Sequence, residues 1–338
     1  MIEIDWSGVA DCDDPAAECP TLLEYGAIWI ARRRSRGLRS VGDDAQRLAT
    51  YVIPALGEIR LDQISTKMVS RWLSRVCETD LAPRTKRAIY RVLAGLMRSA
   101  ALDGWIEAVP TMHSSQLPPA TDADPERLAR APFSALEVST LISSPEIPIQ
   151  RRVVYALGAL AGLRIGEIGG LNWADLDTTR RPLSSLLIVR QYDPRSKSLR
   201  ETKTKTPRLV PVHPRLALVL ARWRSEYAAA AGTMPTGSAA LVLTRLGSRW
   251  SSWSAKQALE RDCSRLEISR HTPHNLRTTF ATLARNAANG ERREVIEQIT
   301  HTKKRDVIEM YTVTNYETLC RAVSAIEIAD SSRLISNS

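Results

Sequence analysis

The sequence predicts a mainly helical protein in two domains, with a few short strands confined to the second. Three observations carry this. Apolar residues recur at helical spacing through most of the chain, as in Ile89, Val92, Leu93, Leu96 and Ala100. Strand-like runs are short and close together, at 185–192, 198–203 and 208–212. Between Trp105 and Phe133 the helical pattern stops, and Pro110, Pro118, Pro119, Pro125 and Pro132 punctuate a polar stretch. At 338 residues the chain is long enough to build two cores.

The elements follow in order. Residues 1–19 form an acidic leader with Glu3, Asp5, Asp11, Asp13, Asp14 and Glu18 and no Lys or Arg before Arg32, the wrong start for a signal peptide. The first domain spans 20–108. Thr21 with Glu24 makes a capping box after Pro20. The helix it opens runs through Leu23, Ala27, Ile28 and Ile30 into the basic cluster Arg32, Arg33, Arg34, Arg36 and Arg39. Helices are expected next at 43–53, 65–78 and 84–102. The last sets Arg84, Arg87, Arg91 and Arg98 opposite its apolar stripe, a face that either meets phosphates or is simply solvated. Residues 109–132 are the linker. The second domain, 133–330, opens with helices at 134–143 and 148–162. Three strands follow, the last two joined by a tight turn around Lys205–Pro207, and the chain is helical from about 214. Residues 331–338 are a tail.

A net charge of +10 points to an anionic partner, nucleic acid before a membrane surface. No apolar run approaches the roughly 20 residues that span a bilayer. The five cysteines, Cys12, Cys19, Cys77, Cys263 and Cys320, are scattered and odd in number, which reads as reduced thiols in a cytoplasmic protein. His271 and His274 lack an acidic third ligand at zinc-like spacing, and no metal or cofactor is expected. A Walker A pattern and a carboxylate cluster for paired magnesium ions are both missing from the sequence.

Six side chains of the second domain form a set: Arg164, Lys203, His274, Arg277, His301 and Tyr311. Arginine forks grip two phosphate oxygens at once, a tyrosine can attack phosphorus, and lysine or histidine can pass protons. Their contexts sharpen the set. In ALAGLRIGEIGGLNWADLD, 159–177, a buried helix ends at Gly162, Arg164 emerges at the turn, and Glu167 lies one helical turn on, able to orient a neighbouring group. In HTPHNLRTTFATLA, 271–284, Thr272 can cap a helix and Pro273 suits its first position. His274 and Arg277 then share a face at a helix N-terminus, an anion site that also favours neutral imidazole. TKTKTPRLVPV, 202–212, offers two lysines between strands, and IEQITHTKKRDVIEMYTVTNY, 296–316, carries His301, Tyr311 and Tyr316.

Together these segments resemble the signatures of the tyrosine recombinase, or phage integrase, family. The likeness runs from about residue 20, and only the second half has specific motifs. The resemblance implies a two-domain DNA clamp: a helical core-binding domain, and a catalytic domain mainly α with a small antiparallel β-sheet. Arg164 and Arg277 would bind the scissile phosphate. Lys203, or Lys205, would sit on a β-hairpin turn and protonate the leaving 5′-oxygen. His274 would assist proton transfer, His301 would hydrogen-bond the phosphate, and Tyr311 would form a 3′-phosphotyrosine. The family usually has Leu-Gly-His where this chain has Ile299-Thr300-His301, and its tyrosine nine residues after the histidine where Tyr311 is ten after; Tyr316 is the alternative nucleophile. Arg32, Arg33, Arg34, Arg36 and the 84–98 arginines are the candidate duplex contacts. The expected partners are double-stranded DNA, a tetramer of this chain on two sites, and an accessory DNA-bending protein, with no membrane. An apolar stripe of Leu319, Val323 and Ile326 would dock on a neighbouring subunit or fold back in cis. A type IB topoisomerase-like activity and a non-catalytic DNA-binding regulator are the rival readings.

Overall fold

The computed structural model describes residues 18–38, 40–119, 132–202, 206–235, 237–287, 293–300 and 315–328. The chain divides into two compact units, Met1–Asp124 and Pro125–Ser338.

The first unit is helical. Thr21 caps α1 (Leu22–Ser35): its backbone N–H donates to Glu24 at 2.8 Å and its hydroxyl accepts the Glu24 N–H at 3.3 Å. The helix expected at 43–53 is a composite of α2 (Val41–Arg47), a wider π turn over Leu48–Val52, and α3 (Ile53–Leu56). Pro54 has no N–H to donate back along the helix, and the turn before it widens so that the Ile53 N–H reaches the Leu48 carbonyl. Ser65 caps α4 (Thr66–Cys77), and Pro83 occupies the first position of α5 (Pro83–Leu102). Tyr25, Trp29, Leu48, Trp72, Ile89, Leu93 and Leu96 fill the core between them. Part of the expected linker packs on this unit: the Tyr90 hydroxyl accepts the Met112 N–H at 2.9 Å, and Arg87 donates to the Pro118 carbonyl at 2.7 Å.

The second unit is built around one helix. After α6 (Ala135–Ser143), α7 (Ile149–Ala161) is buried at nearly every position and apolar from Val153 on, with α6, α9 and α11 packed on it. It ends at Gly162, which has φ +64°, and a Cβ there would stand 2.6 Å from the Phe280 ring, so both backbone and space require glycine. A short α8 (Ile165–Gly170) leads to the strands β1 (Leu176–Asp177), β2 (Ser185–Ile188), β3 (Arg190–Asp193), β4 (Ser198–Glu201) and β5 (Arg208–Pro211). The helices α9 (Pro214–Ala231), α10 (Ser252–Arg265), α11 (Pro273–Asn286), α12 (Arg293–Thr300) and α13 (Tyr316–Ser324) complete it. Among the described residues no helix is long and apolar enough to cross a membrane.

The fold class is as the sequence predicts, mainly helical with small antiparallel sheets, but the strand pairing is not. The run 185–192 is two strands in two sheets. β4 and β5 are not partners: β4 pairs with β3, while β5 pairs with β2 in the order β1-β2-β5. Burial decides this. β5 aligns Val210 with Leu186, both in the core, whereas every residue of β4 is exposed. Nor is the chain helical throughout from 214. Its described residues between Gly232 and Trp250 are irregular, and Gly232, Gly237 and Gly247 take positive φ there. The Leu319, Val323 and Ile326 stripe lies in the core of its own unit in the single chain.

Candidate active site

Arg164 stands between α7 and α8. The left-handed Gly162 turns the chain, Leu163 is buried behind it, and Arg164 caps α8. Glu167 holds Arg164 twice, accepting its backbone N–H at 2.9 Å and its Nη1 at 3.0 Å. The same carboxylate receives a fork from Arg208 at the start of β5, at 3.1 and 2.8 Å. Burial alone would push the Glu167 carboxyl up, but the Arg208 hydrogen bonds and charge outweigh it and hold the group below the usual carboxylate range.

Arg277 lies one turn into α11, also buried, and is fixed by main-chain carbonyls. It donates Nη1 to Gly162 at 2.6 Å and Nη2 to Thr300. Burial first, and then repulsion from Arg164, lowers its pKa to about 9. A phosphate placed against the pair would relieve that repulsion. His274 sits on the first turn of the same helix, on the exposed side. Desolvation and then the charges of Arg277 and Arg164 lower its pKa, which favours neutral imidazole at neutral pH. Thr272 stands at the N-cap position as expected, and Asn275 accepts both its N–H and its hydroxyl at 2.6 Å, while the Asn275 N–H goes to the Thr272 carbonyl at 2.9 Å. Arg277 is therefore tied to the same Gly162–Arg164 turn that carries the first arginine.

Lys203, Lys205, His301 and Tyr311 lie outside the described residues. Tyr316 is described, and its hydroxyl is already committed: it donates to the Leu183 and Ser184 carbonyls, each at 2.9 Å, with Arg180 over the ring. Burial pushes its pKa up.

The arginines of the first unit divide. Arg34, Arg36, Arg84, Arg91 and Arg98 are exposed. Arg32 pairs with Asp103, Arg33 with Asp44 at 2.9 Å while lying over Trp29, and Arg87 holds the Pro118 carbonyl. Neither the helix face nor the basic cluster distinguishes these two groups in the sequence, because the partners are distant along the chain.

Residues 133–318 match the model of the phage integrase family. The chain belongs to that family. As a tyrosine recombinase it is similar along its length to the integrase of Mycobacterium phage FRAT1, 24% identical over 335 residues and covering 95% of this chain and 93% of that one. The integrase of Mycobacterium phage D29 is 25% identical over 334 residues, covering 95% and 83%. Solved integrases share the fold. The Tn1549 transposon integrase, in complex with a circular intermediate DNA, has a TM-score of 0.68 at 20% identity, covering 90% of this chain and 98% of that one. A lambda integrase dimer bound to a COC′ core site has 0.63 at 16%, covering 86% and 94%.

Within this integrase Arg208 is the site residue that the motifs pass over. A signal for it exists. Arg208, Val210 and Val212 alternate along one strand face, and a charge in register with two buried valines has to find a buried partner.

Proposed function

We propose that this integrase is a site-specific recombinase that cuts and rejoins DNA through a 3′-phosphotyrosine, serving the integration or excision of a mobile element. The observation that carries the reading is the arginine pair Arg164 and Arg277. Both are held in place before any ligand arrives, and both are coupled to a histidine whose pKa is lowered. Donors already oriented cost no reorganisation when charge builds on the non-bridging oxygens.

Tyr311 attacks the scissile phosphorus through its phenolic oxygen. One P–O bond forms to the tyrosine and the bond to the 5′-oxygen breaks. His274 assists removal of the phenolic proton, Lys203 protonates the leaving oxygen, and His301 donates a hydrogen bond to the phosphate. A second 5′-hydroxyl reverses the step, so the phosphodiester free energy is kept in the covalent bond. Tyr316 is the weaker nucleophile, because its hydroxyl is engaged by two carbonyls. The partners are double-stranded DNA and further copies of the chain, a tetramer on two sites; a lambda integrase tetramer bound to a Holliday junction shares the fold. The exposed arginines of α1 and α5 are proposed phosphate contacts of the helical unit.

The test uses a duplex that the wild-type chain selects from a random pool, nicked near the cleavage point so that the cut strand diffuses away. Wild type should form a denaturation-resistant protein–DNA adduct in excess EDTA. A strict requirement for a divalent metal overturns the reading.

A further inference from the structure

Arg208 is charged, buried and unused by the chemistry above. Its side chain is 6% exposed and that of Glu167 is 3%. The guanidinium commits three of its five donors inside the protein, one from each nitrogen: a fork to both Glu167 oxygens, and Nε to the Ile299 carbonyl at 2.9 Å. Buried and with its fork taken by Glu167, it has no fork to offer a phosphate.

Both of its acceptors have further connections. Glu167 holds the backbone and side chain of Arg164. Ile299 precedes Thr300, whose carbonyl receives Nη2 of Arg277. Two successive carbonyls at the C-terminal end of α12 are therefore held by two buried arginines. One is a phosphate arginine itself, and the other reaches the second phosphate arginine through Glu167.

We propose that Arg208 is a positioning residue: through Glu167 and the end of α12 it keeps Arg164, Arg277 and the chain entering His301 in one mutual geometry. The proposal rests on the strand-transfer reading above. Without Arg208, the buried Glu167 carboxylate loses its fork and either takes up a proton or turns away. In the first case the charge that holds Arg164 is lost, and in the second the acceptor itself moves away from it. A lysine keeps the charge but cannot fork onto Glu167 and reach Ile299 together.

The test compares wild type, Arg208→Met and Arg208→Lys on the selected nicked duplex, reading the rate of adduct formation at saturating protein, the affinity and the melting temperature. A second duplex carries a methylphosphonate at the scissile position, where one non-bridging oxygen is replaced and less charge needs an arginine. On phosphate, Arg208→Met should slow adduct formation on the order of 10²-fold, the scale of a small misplacement of reacting groups. Affinity should barely change, and Arg208→Lys should fall between. On methylphosphonate most of the defect should vanish. A wild-type rate in Arg208→Met overturns the proposal. So does an equal defect on both duplexes, or unfolding of both variants below the assay temperature, since each marks a residue of stability alone. Absence of any adduct from wild type sinks the strand-transfer reading, and the positioning role with it.

Discussion

The helical unit carries Arg34, Arg36, Arg84, Arg91 and Arg98 exposed to water, whereas the integrase-type unit encloses Arg208 and Arg277 and clasps Arg164 with a buried carboxylate. The same side chain is suited to opposite ends in the two settings. An exposed arginine keeps its rotamers, adds a charge to a face, and tolerates a shift of register along a backbone of phosphates. A buried one is ordered when the protein folds, and its direction is set by a carbonyl or a carboxylate before substrate binds. That order has a cost, visible in Arg277, whose pKa falls to about 9 under burial and repulsion from Arg164. A surface charge can serve affinity without this cost; a charge that must meet a developing oxyanion cannot.

This contrast breaks first if the reactive tyrosine is misassigned. Tyr311→Phe keeps the ring, removes only the nucleophilic oxygen, and should abolish the adduct while leaving affinity for DNA unchanged. Tyr316→Phe should still form the adduct and lose about 1 kcal/mol of stability with its hydrogen bond to Leu183 and Ser184. Mapping the DNA-linked peptide distinguishes them. An adduct on residue 316 would make the hydroxyl held by two carbonyls the reactive one.

The next test sets the two kinds of arginine side by side. Arg277→Ala should slow adduct formation on the order of 10²-fold or more with a much smaller change in affinity. Arg84→Gln with Arg91→Gln should do the reverse. Affinity should fall, and the salt dependence should flatten by about one unit for each arginine–phosphate pair removed, with the saturated rate preserved. If affinity falls as steeply as rate for Arg277→Ala, the two units do not use arginine differently.

What the sequence reveals of this division follows from distance along the chain. The Thr21–Glu24 box, the Gly162 turn before Arg164, and the Thr272-Pro273 start of α11 are complete within a few residues, and each is found where the sequence predicts it. The fold class is equally legible, because helical periodicity is local. Strand partners are not local: β5 chooses β2 across the β3–β4 hairpin because its valine faces the core. For the same reason the arginine cluster on α1 cannot be sorted from sequence, since Arg32 is claimed by Asp103 and Arg33 by Asp44. Arg208 meets Glu167 41 residues away, so its role depends on a pairing that the motifs do not contain.

The smallest expected effect separates the units by acid. His213 starts α9 and is buried; its Nδ1 accepts the Arg215 N–H at 3.1 Å, so the neutral ring carries its proton on Nε2 and donates it to the Ile326 carbonyl at 3.0 Å. Burial lowers its pKa, with the Ile326 bond opposing and Arg215 adding to the fall. The unfolded chain titrates near the ordinary histidine value of about 6.5, so below that pH it binds the proton more readily than the folded chain. The stabilisation is therefore full above the unfolded value and is lost as pH falls through the folded one. Protonation would place a hydrogen on Nδ1 against the Arg215 N–H and remove a cap worth about 1 kcal/mol. The first unit has only His113, which is exposed. Between pH 7 and pH 5, amide hydrogen exchange should therefore speed up in α9 and α13 beyond the intrinsic pH effect, and not in α4 or α5. His213→Asn keeps a capping acceptor and should flatten that response. Equal acid sensitivity in both units, or in both proteins, would assign the acid response to groups other than His213.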